Sequence, residues 1–342
     1  MAITIITETY NHLEGQSWPR FEHAVSSAIS AAEGFNDGLD HGPNHLLVID
    51  ASADMRAQTL VSNSQAATTV KLHHLRVPVG TSYDQIKDIG ALEATTPVIV
   101  YLDGDCAPVG DPKAWLEAMF NVLSSTGAPG VSGTTAYEGT SSTSIACSAM
   151  DFGFLHYHDD AALTSYTSNN VMFIRAARIE YPTEIDGLRC SCYLHAQQFL
   201  RKGTPILHAR SPDALVLHEL PPLWDERFRR GYDAVAVGWE DPDVFEARCF
   251  NANRLIAATA GLARYMVSAL RLDARSVIAL RRYQKFSRRK AAGAITLLPI
   301  LRVIDALGIW RALLLGPDPR RRHLVSSDQL TIPATTTLAG EN

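Results

Sequence analysis

The sequence predicts an α/β fold with a mixed, mainly parallel sheet, followed by a basic helical C-terminal region. Short apolar strands alternate with amphipathic helices over the first 125 of 342 residues, as in βαβ folds. Several of these strands end in polar residues that would meet at one sheet edge. Residues 271–323 carry 13 Lys and Arg against 3 Asp and Glu, and the rest carries 18 against 33. This acidic body with a basic end predicts that the end faces an anionic surface.

The predicted elements follow one another regularly at first. Phe21, Val25 and Ile29 recur at helical spacing, and Asp111 followed by Pro112 is typical of a helix start. Beyond residue 125 a Gly/Ser/Thr-rich stretch predicts a loop with edge strands. We predict strands at 3–11, 45–52, 70–78, 97–105, 168–179 and 213–222, and helices at 21–35, 82–95, 111–125 and 192–203.

Polar residues end three of the predicted parallel strands. They are Tyr10 and Asn11, then Asp50, then the pair Asp103 and Asp105. Ligands of such sheets bind outside the carboxyl ends of the strands, so one polar crevice is expected there. Two neighbouring carboxylates suit Mg²⁺ or Mn²⁺, which neutralise the charge of a departing diphosphate. The alternative for each residue is an ordinary turn position.

Four segments in this order resemble family 2 glycosyltransferases of the GT-A fold: TETYN, LLVIDAS, DQIKDIGALEATTPVIVYLDGDCAP and SNNVMFIRAARI. The resemblance covers roughly residues 3–235. It implies a single nucleotide-binding α/β/α sandwich with a helical appendage at its C-terminal end. We therefore expect a GT-A domain at 1–240, a basic and apolar helical region at 241–323, and a disordered tail at 324–342.

The resemblance also implies a site for a nucleoside-diphosphate sugar. Asp105 would bind Mn²⁺ or Mg²⁺ directly, with Asp103 and His218 as further ligands. A solvated lysine and a plain strand-end histidine are the alternatives for Lys87 and His218. The residues that would hold the donor are Thr9, Tyr10, Asn11, Asp50, Lys87, Asp103 and Asn169.

The expected catalytic base is missing from its usual place. Members of the family supply it from a Glu-Asp pair shortly before the glycine that closes the next helix, and here that place holds Ser191-Cys192. Asp186 and then Glu184 are the nearest candidates, and His195 is a third. The expected activity is inverting sugar transfer, and the missing pair leaves open a catalytically inactive nucleotide-sugar-binding partner protein.

The cysteines favour a reducing compartment. The five are scattered and odd in number, which does not predict a disulfide framework. Cys190, Cys192 and His195 supply three ligands where structural zinc takes four, so buried cysteines are the better interpretation. The N-terminal segment does not resemble a secretory signal.

The basic end holds two apolar stretches, 255–270 and 291–316, on either side of RRYQKFSRRK. Arg302 and Asp305 are spaced to pair on a helix. Basic and apolar helices of this kind suit the headgroup layer of a membrane. We expect a cytoplasmic enzyme peripheral on the inner membrane surface, with a lipid-linked or polysaccharide acceptor. A soluble appendage or a homo-oligomer interface is the alternative, and nucleic acid is not expected because no binding module is recognised.

Overall fold

The computed structural model describes residues 1–9, 17–35, 42–156, 162–182, 185–186, 191–316 and 323–324. Within that part of the chain, the main sheet has seven strands in the order β10-β6-β8-β4-β1-β2-β3, and a second sheet has the order β5-β11-β7. The strands are β1 (Ile3–Glu8), β2 (His45–Asp50), β3 (Lys71–Arg76), β4 (Val98–Leu102), β5 (Cys106–Pro108), β6 (Gly130–Ser132), β7 (Thr134–Tyr137), β8 (Asn170–Ile174), β9 (Ile185–Asp186), β10 (Leu207–His208), β11 (Leu215–His218) and β12 (His323–Leu324).

The helices flank the sheets and then continue as a C-terminal group. The first of the two long C-terminal helices contains a π-helical turn near its start, at Ala257–Gly261. The helices are α1 (Trp18–Gly34), α2 (Arg56–Gln65), α3 (Tyr83–Glu93), α4 (Pro112–Thr126), α5 (Ser142–His156), α6 (Arg175–Glu180), α7 (Ser191–Arg201), α8 (Leu223–Glu240), α9 (Phe245–Phe250), α10 (Arg254–Leu280) and α11 (Arg288–Leu315).

One half of the main sheet is entirely parallel. β4, β1, β2 and β3 run in the same direction, and β8 runs antiparallel to both β4 and β6. The predicted fold class, a mixed and mainly parallel sheet with C-terminal helices, is confirmed. The carboxyl ends of β1, β2 and β4 therefore meet at one edge.

Alternate residues of the central strands enter opposite cores. Val98 and Val100 pack in the core beneath α1 and α4, whereas Ile99 and Tyr101 pack in the core that includes α3 and α5. Side chains of a strand alternate between the two faces of a sheet, and helices cover both faces here. This explains why β4 is apolar at every position.

Helices α2 and α5 were not predicted. The prediction of a strand over 168–179 is wrong in its second half, because the strand ends at Ile174 and helix α6 follows at Arg175–Glu180. The sequence of α5 offers no amphipathic pattern because most of its side chains are buried, on several sides. A helix that is apolar all round is surrounded by protein and loses the 3.6-residue signal.

The C-terminal helices pack on the α/β body. α10 and α11 contact α5, and α11 also contacts α8. Val277 and Leu298 share one core cluster with Ile99 of the main sheet. Both helices are long and apolar enough to cross a membrane by length and composition alone, with mean hydropathy of 1.3 and 1.8 over their most apolar windows.

The charges inside α11 are buried in ion pairs. Arg302 bonds Asp305 at 2.7 Å, which confirms the predicted pair, and also bonds Asp273 of α10 at 2.8 Å. Buried charges require such partners, so this face of α11 must point into the protein.

Candidate active site

The candidate site lies where β1, β2 and β4 end. A cleft of about 1110 Å³ opens beside this edge. The cleft is lined by Asp103, Ser168, Asn169 and His218 and also by side chains of α8, α10 and α11. A cleft of this size can hold a nucleotide sugar and part of an acceptor.

Lys87 is buried in an ion cluster. Its Nζ lies 2.8 Å from Oε2 of Glu8 and also donates to Asp103 Oδ1, and the side chain is only 3% exposed. The interpretation of Lys87 as a solvated helix lysine is therefore wrong. Burial first, and then repulsion from Asp103, raise the pKa of Glu8 to about 8. One ammonium group thus holds two carboxyl groups from neighbouring strand ends.

Asp103 is held from a second side by Tyr83. The Tyr83 hydroxyl donates to Asp103 Oδ2 at 2.6 Å and lies 2.9 Å from Ser168 Oγ. Burial and the neighbouring Asp103 raise the pKa of Tyr83, so the hydroxyl remains a donor. Both oxygens of Asp103 are thus engaged by side chains of α3.

The glycine between the two aspartates is required by packing. A Cβ at Gly104 would lie 2.3 Å from the main-chain oxygen of Glu8. Any side chain there would push β4 away from the end of β1. The Asp-Gly-Asp turn is therefore held against β1, and Asp103 and Asp105 leave it in fixed directions.

Asp105, Cys106 and His218 form a compact cluster. Their ligand atoms all lie within 4.8 Å of one another. His218 Nε2 is 3.2 Å from Asp105 Oδ2, and the Cys106 thiol donates to Asp105 Oδ1 at 3.4 Å. Burial and the adjacent Asp105 raise the pKa of Cys106, which keeps this thiol protonated.

The cluster is set by strand register. Cys106 and His218 are direct partners in the antiparallel pairing of β5 with β11. Directly opposed residues point to the same face of a sheet, with Cβ atoms about 4.5–5.5 Å apart. His218 Nδ1 lies 2.6 Å from the main-chain oxygen of Glu219, so Nδ1 is the donor and Nε2 faces Asp105. A carboxylate oxygen and an imidazole nitrogen so placed fit a divalent cation.

Asp50 is fully buried and surrounded by donors. Its Oδ1 accepts from Thr9 Oγ1 at 3.1 Å and from the Ser52 main chain at 2.9 Å, and His74 Nε2 lies 3.0 Å from Oδ2. Burial opposes ionisation, but the hydrogen bonds from His74, Ser52 and Thr9 outweigh it and lower the pKa of Asp50 to about 2. In this conformation Thr9 and Asp50 fix each other at the ends of β1 and β2.

Asn169 lies at the cleft, at the turn before β8. Its Oδ1 accepts from Thr135 Oγ1 at 3.0 Å. The next residue, Asn170, is structural because its amide donates to the main chain of Thr134 at 2.8 Å. Tyr10, Asn11, Glu184 and Cys190 lie outside the described residues, and only the backbone of Asp186 is described.

A carboxylate stands next to the place where the Glu-Asp pair is missing. Asp84 of α3 accepts a hydrogen bond from Ser191 Oγ at 2.8 Å, and both residues line the cleft. The sequence did not indicate this contact because the partners are far apart along the chain. His195, by contrast, lies in the core, where its nitrogens contact the Tyr166 hydroxyl at 2.5 Å and the Tyr181 main-chain oxygen at 2.6 Å.

The wall of the cleft carries a buried ion network. Arg227 of α8 pairs with Asp151 of α5, and its Nη1 lies 3.9 Å from Asp305 of α11. Arg227 itself is almost completely buried. This network ties the C-terminal helices to the wall of the cleft.

Comparison with known proteins gives a structural likeness alone. No family model matches the chain, and no curated protein matches it. A mannosyltransferase of Pyrobaculum calidifontis, solved with GDP-Man and Mn²⁺, aligns over 92% of this chain and 85% of its own length, with a TM-score of 0.55 and 15% identity. The TarS protein of S. aureus, solved alone and with UDP-GlcNAc, aligns over 94% of this chain and 93% of its own, with TM-scores of 0.42 and 0.44 and identities of 12% and 14%. The likeness to the mannosyltransferase shows that the two proteins share a fold.

Proposed function

We propose that this protein is an inverting, metal-dependent glycosyltransferase of family 2 with the GT-A fold. It takes a sugar from a nucleoside-diphosphate sugar and transfers it to a lipid-linked or polysaccharide acceptor. The observation that carries the proposal is the contact of Asp105 with His218, because His218 and the neighbouring Asp103 both line the cleft, and Asp105 lies buried directly behind them. The glycosyltransferase fold supports the same conclusion.

Asp105 and His218 are the residues that hold the cation in this proposal. When bound, Mn²⁺ or Mg²⁺ neutralises the negative charge of the leaving diphosphate. Asp103 was expected to be a ligand as well, but Lys87 and Tyr83 engage its oxygens. It therefore positions the turn, or reaches the cation through water.

The donor pocket is formed at the ends of β1 and β2 and at the start of β8. Thr9 and Asp50 support its floor, and Asn169 contacts the sugar. Binding of the base is assigned to Tyr10 and Asn11 on the sequence alone. Lys87 acts by fixing Asp103, since its ammonium is enclosed between two carboxyl groups. Because the charges of Lys87 and Asp103 compensate each other, this side of the donor pocket keeps one conformation.

The acceptor hydroxyl must lose a proton to a carboxylate within hydrogen-bond reach. Asp186 and Glu184 remain the candidates from the sequence. Asp84 joins them, because it is only 6% exposed, lines the cleft and sits against Ser191, where the Glu-Asp pair is absent. The same absence supports the second candidate function, a nucleotide-sugar-binding partner protein without turnover.

In this proposal the C-terminal helices attach the enzyme to a membrane surface. Ile300 and Val303 of α11 are both 60% exposed, and Trp310 and Leu314 are exposed on the same side. The cations of the 281–290 segment are exposed as well. Apolar side chains next to exposed Lys and Arg suit anionic phospholipid headgroups. On this view residues 1–240 form the catalytic domain and 241–323 its peripheral attachment to the cytoplasmic face, and association of two chains through these helices is the alternative.

The experiment is a donor panel. Purified protein is mixed with Mn²⁺ and each of several UDP- and GDP-sugars, and free nucleoside diphosphate is measured with and without a membrane lipid extract as acceptor source. We expect release from one donor, and loss of release in Asp105→Asn. Binding of a donor without release under any condition would instead favour the partner-protein function.

A further inference from the structure

Cys106 adds a sulfur ligand to the proposed cation site. This side chain is completely buried, and its Sγ lies 3.4 Å from Asp105 Oδ1. It stands directly opposite His218 across the β5–β11 pair. We propose that Asp105, Cys106 and His218 together form a mixed oxygen, sulfur and nitrogen site that selects a thiophilic or borderline cation such as Zn²⁺ or Co²⁺, and to a smaller extent Mn²⁺, over Mg²⁺.

The distances within the cluster suit such a site. Metal–sulfur bonds of about 2.3 Å and metal–nitrogen or metal–oxygen bonds of about 2.0–2.2 Å place neighbouring ligand atoms about 3.4–3.6 Å apart in a tetrahedral arrangement. His218 Nε2 lies 3.2 Å from Asp105 Oδ2, and Cys106 Sγ lies 3.4 Å from the other carboxylate oxygen, Oδ1. One ligand atom from each of the three residues lies within 4.8 Å of the other two. Small rotations of the side chains are enough to enclose a cation.

The orientation of His218 suits it as well. Its Nδ1 is committed to the Glu219 main-chain oxygen at 2.6 Å, and such a second contact fixes the ring of a metal-binding histidine. The three protein ligands leave coordination positions for diphosphate oxygens, as open metal sites do. This part of the inference rests on the proposed function.

Metal binding at Cys106 exchanges one proton for one cation. The Sγ–H bond breaks, the proton goes to the buffer, and a metal–sulfur bond forms. No oxidant or reductant is needed. Softer ligands favour Zn²⁺, Co²⁺ and Mn²⁺ relative to Mg²⁺, which prefers oxygen ligands in an octahedron.

The test uses the full-length protein and Co²⁺ alone. A thiolate bound to Co²⁺ gives a charge-transfer absorption in the near ultraviolet. We expect this band in the wild type and in Cys249→Ser, which removes a buried cysteine of α9 away from the cluster. We expect Cys106→Ser to lose it and to bind Co²⁺ and Zn²⁺ at least ~10-fold more weakly, because removing even a residue that only hydrogen-bonds to a metal ligand weakens metal binding by about that factor. Its affinity for Mg²⁺ should not change.

The outcomes separate this inference from the proposed function. A wild-type protein that binds Co²⁺ without the band, or a band that persists in Cys106→Ser, would overturn the sulfur ligand. Should Cys106→Ser not fold, His218→Gln provides the second arm, because a band from this cluster must weaken when the imidazole is removed. Release of nucleoside diphosphate supported equally by Mg²⁺ and Mn²⁺, with no cobalt band, would reject Cys106 and leave the transferase proposal intact.

Discussion

Replacing Glu8 with Gln should change how the stability of this protein depends on pH. Glu8 is fully buried, and its carboxyl group shares the Lys87 ammonium with Asp103. Burial, followed by repulsion from Asp103, raises the pKa of Glu8 from 4.5 to about 8. The neutral amide of Gln keeps the shape of the side chain and removes this titration.

The sign and the size follow from the raised pKa. A carboxyl group whose pKa is higher in the folded than in the unfolded state stabilises the fold below the unfolded pKa, and that contribution is lost as the pH rises through the folded pKa. For Glu8 this window runs from pH 4.5 to about 8. Each pKa unit corresponds to about 1.4 kcal/mol. Across this pH window the free energy of unfolding of the wild type should therefore fall by up to ~5 kcal/mol, and that of Glu8→Gln should not.

Urea unfolding, followed by circular dichroism at several pH values between 5 and 8, measures the difference. Glu22→Gln on the exposed face of α1 is the matched control. We expect the free energies of unfolding of the wild type and Glu22→Gln to change with pH in parallel. The free energy of unfolding of Glu8→Gln should increase relative to both as the pH rises. Three parallel curves would refute the proposed ion cluster.

Four further changes have defined outcomes. Gly104→Ala should lower the melting temperature and remove donor binding, because its Cβ would meet a main-chain oxygen at 2.3 Å; preserved calorimetric binding would contradict this. Arg302→Met should lower the free energy of unfolding by about 3–5 kcal/mol, since it leaves buried carboxylates without their partner, and denaturant titration checks it. Asp84→Asn should reduce diphosphate release with donor affinity unchanged, and equal release would exclude Asp84 as the base. The double substitution Ile300→Glu and Val303→Glu should reduce the fraction of protein that sediments with phosphatidylglycerol vesicles. An unchanged fraction would exclude this face of α11 as the membrane-binding surface.

The sequence predicted those parts of the fold that carry their own periodicity. The apolar run of β4 and the helical spacing in α1 are local signals, and both elements form as expected. The meeting of the polar strand ends was also predicted correctly, because parallel strands bring their carboxyl ends to one edge of the sheet. α5 was missed because a helix buried on several sides has no polar face to set its period.

The details of the site depend on contacts between distant segments. Lys87 resembles any helix lysine until Glu8 and Asp103 are placed beside it. Cys106 meets His218 only through the register of β5 with β11. The spacing of residues along the chain does not indicate such a pairing. The sequence therefore predicted Asp105 and His218 as metal ligands but not the neighbouring thiol of Cys106.

The central claim is that Asp105 helps to bind a divalent cation that carries the diphosphate of a sugar donor. Calorimetric titration of UDP and GDP into the wild type, Asp105→Asn and the exposed control Asp111→Asn, each with and without Mn²⁺, tests it most directly. We expect binding of one nucleotide to require Mn²⁺ in the wild type and in Asp111→Asn, and to weaken at least ~10-fold in Asp105→Asn. Equal Mn²⁺-dependent affinity in all three proteins would contradict the claim.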